Sequence, residues 1–148
     1  MLDIKEIYEI FKTCPRITID SRHCPKDSIF VALRGDNTDG NLFAAKALEN
    51  GSRYAIVDRK EIAVDDRYIV VDDTLTTLQD LARYHRTQMK AKIIAITGTN
   101  GKTTTKELIA QVLSQKYDTL YTEKNYNNHI GVPLTLLRLE ESHRFGVV

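Results

Sequence analysis

The residues best suited to chemistry lie close together: Gly98, Gly101, Lys102 and Thr103, between the apolar run Ile93-Ile94-Ala95-Ile96 and the helix-forming stretch Thr104-Thr105-Lys106-Glu107. A strand that enters a glycine-containing turn and leaves through a helix points unpaired backbone N–H groups at one spot. The helix dipole adds partial positive charge there. Gly98 and Gly101 have no Cβ, so the backbone can take unusual angles and approach phosphate oxygens closely. Lys102 would reach the β- and γ-phosphates of a nucleoside triphosphate, and the Thr103 hydroxyl would sit on a Mg²⁺ ion bridging them. The first glycine of the common G-x-x-x-x-G-K-[ST] pattern is missing. The strand before the shorter motif and the helix after it restore its specificity.

The elements that must hold this loop follow from periodicity. Ile4, Ile7, Tyr8 and Phe11 mark a short amphipathic helix over residues 3–12. Strands are expected at 17–19, 28–33, 54–57 and 68–71. A helix is expected over 42–50, with Phe43, Ala44, Ala47 and Leu48 inward and Gly51 as its C-terminal cap. Asp73-Thr74 caps a helix running to about Met89, with Leu75, Leu78, Leu81, Ala82 and His85 inward. His85 reads as a packed histidine rather than a ligand. A strand over 92–97 then leads through the phosphate loop into a helix over 102–116, with Leu108, Ile109, Val112 and Leu113 as its buried stripe. A strand at 119–121, a polar loop at 125–133, a helix opened by Pro133 and a strand beginning at Arg144 follow. Strand and helix alternate throughout, which is the pattern of an α/β fold. About 57 residues after the boundary are too few to cover a doubly wound sheet, so a fragment of a longer protein is expected.

The chain has 148 residues, 42% hydrophobic and 28% charged, the balance of a soluble globular protein with one ordinary or two small domains. A net charge of +1 gives no basic bias, so no nucleic-acid partner is expected. No run approaches the ~18 apolar residues of a membrane span. The N-terminus carries acids and no apolar core, unlike a secretory signal. Cys14 and Cys24 have no metal-ligand spacing and read as reduced thiols of a cytoplasmic protein. His23, His85, His129 and His143 form no zinc pattern.

Taken in order, Thr18-Ile19-Asp20-Ser21-Arg22, Phe30-Val31-Ala32-Leu33-Arg34-Gly35, Asp39-Gly40, Ala47-Leu48-Glu49-Asn50-Gly51, the phosphate loop with Lys106-Glu107, and Asn125 to Pro133 resemble the Mur ligases of bacterial cell-wall synthesis. The resemblance covers nearly the whole chain. These are ATP-dependent enzymes that add amino acids to a UDP-linked muramoyl peptide. The resemblance implies a small N-terminal α/β UDP-binding domain at residues 1–90, then the first part of a P-loop ATP-binding central domain at 91–148, truncated. It implies that Gly98, Thr99, Asn100, Gly101, Lys102, Thr103, Thr104 and Asn128 hold ATP, that Thr103 holds Mg²⁺ and that Lys102 is catalytic. It implies that Asp20, Ser21, Arg22, Asp39, Gly40 and Asn127 bind the UDP-muramoyl substrate. The family often has His after Asp-Gly, where this chain has Asn41. Lys106-Glu107 and the segment Asn125 to Leu137 are most similar to the member that joins D-alanyl-D-alanine to UDP-N-acetylmuramoyl-tripeptide. That chemistry passes through an acyl phosphate. The expected partners are those two substrates, the expected state is a monomer, and these residues alone are expected not to catalyse ligation.

Other readings stay open. The family member that adds the third amino acid to UDP-N-acetylmuramoyl-dipeptide shares the Asp-Ser-Arg and Asp-Gly signals and the phosphate loop, but usually has a Thr-rich segment in place of Asn127-Asn128. A folate-type polyglutamate ligase shares the phosphate loop, and a non-catalytic nucleotide-binding module would also keep it. Locally, Asp20 and Arg22 also fit a surface turn with an ion pair. Asp39-Gly40 is also a common turn signal, and Asn127 and Asn128 also suit loop capping.

Overall fold

The computed structural model describes residues 2–123 and 126–148. Asn125, the first residue of the polar loop, lies outside the described residues, with Met1 and Lys124. Contacts divide the chain into two compact units, Met1–Tyr84 and His85–Val148.

The first unit is a parallel four-stranded sheet with helices. Its elements are α1 (Ile4–Thr13), β1 (Ile17–Thr18), β2 (Ser28–Val31), α2 (Ala44–Glu49), β3 (Ser52–Val57), β4 (Tyr68–Val70) and the start of α3 (Thr74–Gln88). The strands lie in sequence order, and each neighbouring pair is parallel. Parallel neighbours need crossover connections, which bury both faces of the central strands. All four residues of β2 are accordingly buried. Phe30, Ala32, Ala55 and Val57 pack with Ala44, Ala47 and Leu48 of α2 on one side of the sheet. α1 starts with a capping box in which Asp3 Oδ1 accepts from Glu6 N at 2.9 Å and Glu6 Oε2 accepts from Asp3 N at 2.7 Å. Tyr8 of α1 meets Tyr84 of α3 edge-on, with ring centroids 5.0 Å apart.

The second unit holds the end of α3, β5 (Lys92–Ile94), α4 (Lys102–Ser114), β6 (Thr119–Tyr121), α5 (Gly131–Leu136) and β7 (Phe145–Val147). Its parallel sheet has the order β5-β7-β6. Beyond the ends of β5 and β7, Ile96 N still donates to Val148 O at 2.7 Å and Val148 N to Ile94 O at 2.9 Å. Ala91, Leu120 and Leu139 form a small core on this sheet. Among the described residues no helix is long and apolar enough to cross a membrane.

Three packing expectations are corrected. The helix expected from residue 42 begins as a 3-10 turn, Gly40–Phe43, and this leaves Phe43 40% exposed rather than inward. Leu75 is half-buried, while Leu78, Leu81, Ala82 and His85 are buried as expected. The stripe expected on α4 is not buried: Leu108 is 57% and Val112 71% exposed, and Ile109 and Leu113 are half-buried. The face of α4 on the sheet is carried by Lys106 and Ala110 instead. The apolar spacing marked a helix correctly, but a stripe is buried only where another layer covers it.

Candidate functional site

The phosphate loop is built by backbone conformation. Gly98 has φ 148° and Gly101 has φ 75°, left-handed values that favour glycine. Gly101 is the N-cap of α4, and it has no side chain to claim the first-turn N–H groups. Thr105 N donates back to Gly101 O at 2.9 Å and starts the helical ladder. Thr99, Asn100, Thr103 and Thr104 are exposed around this turn. Lys102 Nζ curls back and donates to Gly98 O, which holds the ammonium over the loop.

Behind the loop is a cavity of about 40 Å³ at the C-terminal ends of β5 and β7, the end of a parallel sheet where ligands bind. Lys102, Thr103, Lys106, Thr122 and Asn127 supply its polar lining. The structure thus brings Lys102, Thr103 and Asn127 together. The Asn128 side-chain oxygen Oδ1 accepts from Ile130 N at 3.1 Å and Gly131 N at 2.7 Å, capping α5. Gly131 is where the chain folds tightly, since a Cβ there would lie 2.5 Å from Tyr126 Cα. That close approach seats the Tyr126–Asn128 segment against the start of α5. Lys106 and Thr122 were not singled out as site residues in the sequence. The signal for Lys106 was its spacing, four residues after Lys102 and therefore on the same helix face.

In the first unit, Asp20, Ser21 and Arg22 form one turn after β1, with Asp20 and Ser21 half-buried and Arg22 exposed. Arg22 makes a two-pronged pair with Asp20, Nε to Oδ1 and Nη2 to Oδ2, both at 2.9 Å. Hydrogen bonds from the Arg22 side chain and backbone hold the Asp20 carboxyl well below the usual range. Asn50 Nδ2 donates to Ser21 O at 2.7 Å and fixes the turn against the end of α2. Arg22, His23, Cys24, Pro25 and Asn50 border an open depression of about 380 Å³. Both cysteines are free thiols, Cys14 buried and Cys24 half-buried.

Asp39 and Gly40 sit in a second polar cluster, at the C-terminal ends of β2 and β3. Asp39 Oδ1 accepts from Asn41 N at 3.0 Å and Asn41 Nδ2 at 2.7 Å. Arg59 Nη2 lies 2.6 Å from Asp39 Oδ2. The Asn41 hydrogen bonds, with Arg59 and Arg34 nearby, hold the Asp39 carboxyl low despite its burial. Asp58 Oδ1 accepts from Asn41 Nδ2 at 2.7 Å and from Arg34 Nη2 at 2.6 Å, and Asp58 N donates to Asn41 Oδ1 at 3.1 Å. Gly40 passes so close to β2 that a Cβ would lie 2.5 Å from Leu33 O. Asn41, at the position after Asp-Gly, is therefore a buried hub joining the turn to β3. Asp58 and Arg59 lie in none of the motifs, and Arg34 stood in one without a site role, because the three meet only through the sheet.

Residues 15–86 match the family model described as "Mur ligase family, catalytic domain", and residues 96–148 match "Mur ligase middle domain". The UDP-N-acetylmuramoyl-tripeptide--D-alanyl-D-alanine ligase of Escherichia coli is 40% identical over 136 residues, covering 92% of this chain and 30% of its own length. A crystal structure of MurF from Acinetobacter baumannii is 42% identical with a TM-score of 0.81, covering 89% of this chain and 29% of that one. The MurF ligase of Thermotoga maritima, solved in complex with ADP, is 31% identical with a TM-score of 0.80, covering 99% of this chain and 32% of that one. This chain thus spans about 30% of the length of the curated relatives it matches. With both units matched in order by models of one family, the chain belongs to the Mur ligases.

Proposed function

We propose that the full-length protein is an ATP-dependent ligase of peptidoglycan precursor synthesis that joins D-alanyl-D-alanine to UDP-N-acetylmuramoyl-tripeptide, acting as a cytoplasmic monomer. The observation that carries this reading is the phosphate loop, which brings Lys102, Thr103 and Asn127 to one cavity at the head of α4. The name and ADP complex of the Thermotoga maritima relative support the choice of nucleotide.

In this account residues 91–148 begin the nucleotide-binding domain. The first-turn N–H groups of α4 and the loop from Gly98 to Thr104 bind the phosphates. Lys102 leaves Gly98 O and reaches the β- and γ-phosphates. There it neutralises charge as the substrate carboxylate attacks the terminal phosphorus, forming an acyl phosphate and freeing ADP. The amine of D-alanyl-D-alanine then displaces phosphate to give the amide. Asn127 orients the bound substrate from the cavity side, and Asn128 keeps its segment in place through the α5 cap.

Mg²⁺ fits the donor set present. The Thr103 hydroxyl is a hard oxygen in the first turn, and Mg²⁺ is commonly held by few protein groups together with substrate phosphates. When bound, the ion supplies further charge neutralisation. Residues 1–90 hold the UDP moiety, with Asp20, Ser21 and Arg22 beside it and the Asp39-Gly40 turn shaping the pocket.

Lys102→Ala tests the reading on the full-length protein. ADP release should fall by at least ~100-fold, the scale of losing a charge-stabilising group in the transition state, while binding of UDP-N-acetylmuramoyl-tripeptide stays unchanged. Unaltered turnover would remove the loop from the mechanism.

A further inference from the structure

Thr122 is a buried polar residue to which the chemistry described above gives no role. It follows β6 directly, is only 3% exposed and lines the cavity at the head of α4 with Lys102, Thr103 and Asn127. Packing does not account for its hydroxyl. Ile96 and Val148 line the same cavity, and a valine at 122 would fill the same space without burying an O–H group.

Local hydrogen bonding accounts for it only weakly. Thr122 N donates to Val147 O at 2.9 Å and carries the β6–β7 pairing one residue past the strand end. Thr122 Oγ1 also reaches Val147 O, but at 3.4 Å, well beyond the roughly 2.7–2.8 Å usual for an O–H···O bond. A hydroxyl proton turns about the C–O bond to suit its surroundings, so this long contact can give way to a better acceptor at little cost.

The sheet order decides which acceptor arrives. In β5-β7-β6 the end of β6 is two strands, about 10 Å, from the phosphate loop that follows β5. Thr122 and the loop thus stand at opposite sides of the cavity. A group that attacks the terminal phosphate of a nucleotide on the loop comes from the side opposite the leaving diphosphate, in line with the bond that breaks. The cavity, of about 40 Å³, has room for a carboxylate and not for a nucleoside, and none of the residues lining it is acidic.

We propose that the Thr122 hydroxyl donates a hydrogen bond to the attacking carboxylate of the acyl substrate, holding one of its oxygens beside Asn127 while the other attacks the terminal phosphorus. This rests on the ligase reading given above. The hydroxyl then acts on acyl phosphate formation and not on nucleotide binding.

The test follows the first half-reaction in the full-length protein. ATP and UDP-N-acetylmuramoyl-tripeptide are supplied at saturation without D-alanyl-D-alanine, and hydroxylamine captures the acyl phosphate as a hydroxamate, releasing phosphate. Thr122→Val should slow hydroxamate formation by about tenfold or more, the scale of one hydrogen bond to a charged group, and leave ADP affinity within about twofold. Thr122→Ser, which keeps the hydroxyl, should recover most of the rate. An unchanged rate in Thr122→Val, an equal loss in Thr122→Ser, or a matching loss of ADP affinity would overturn the proposal, because a structural threonine gives one of these results. If Thr122→Val does not fold, Thr122→Ala against Thr122→Ser carries the same comparison. Lys102→Ala, run alongside, should suppress the hydroxamate. If it does not, the ligase reading itself fails, whatever Thr122 does.

Discussion

His85 shows how a single residue ties the chemistry of burial to pH. It is buried, and its Nε2 lies 2.8 Å from Leu139 O, so that nitrogen carries the proton and donates. Burial lowers the ring's pKa below its ordinary 6.5, and the hydrogen bond to Leu139 opposes this only in part. The unfolded chain therefore binds a proton more readily than the folded one. The stability contributed by neutral His85 is complete above about pH 6.5 and is lost as pH falls through that value toward the lowered folded one. Urea unfolding at pH 7.5 and pH 5.5 should show a loss that His85→Gln reduces; an equal loss in the variant would rule the histidine out. The sequence had placed His85 on an inward face as a packing residue, and that is its position. Residue roles were otherwise legible only where backbone chemistry fixes them. Gly101 could be read, because a left-handed N-cap before Lys-Thr has few other uses. The division of labour between Asn127 and Asn128 could not, since both are loop asparagines and only the tertiary path decides which one caps α5.

At the scale of elements, the ends of β2 and β3 are joined by the clasp of Arg34, Asn41 and Asp58. The Asp58 side chain is 4% exposed and that of Arg34 is 53% exposed. Their contributions should differ accordingly. Asp58→Ala strands the buried Asn41 amide and should cost about 1–3 kcal/mol. Arg34→Ala removes only the solvent-screened half of the pair and should cost less than about 1 kcal/mol. Denaturant midpoints of the two variants decide this; equal losses would mean that the clasp is held by the arginine. Most elements were legible because strand and helix periods alternate cleanly and Asp3 and Asp73 mark helix starts. Asp73 Oδ1 accepts from Thr76 N at 2.6 Å, as an N-cap should. The start of α2 was not legible. The Asp39 side chain and the close approach of Gly40 to β2 first tighten the chain into a 3-10 turn, a constraint from a strand that lies earlier in the sequence.

At the scale of the molecule, contacts divide the chain within α3, between Tyr84 and His85, and His85 is hydrogen-bonded to Leu139 of its own unit. The exposed Leu108 and Val112 on α4 show a limit of periodicity: it identifies an apolar face, but it cannot say whether these residues supply a cover. The order of motifs carried more. Turn, strand, phosphate loop and asparagine segment follow one another along the chain in the order on which the proposed ligase function rests. The most direct test is ADP release by that protein, supplied with UDP-N-acetylmuramoyl-tripeptide and D-alanyl-D-alanine or, separately, with UDP-N-acetylmuramoyl-dipeptide and meso-diaminopimelate or lysine. Release that depends on D-alanyl-D-alanine is expected; release only with a single amino acid and the dipeptide acceptor would contradict the proposed function.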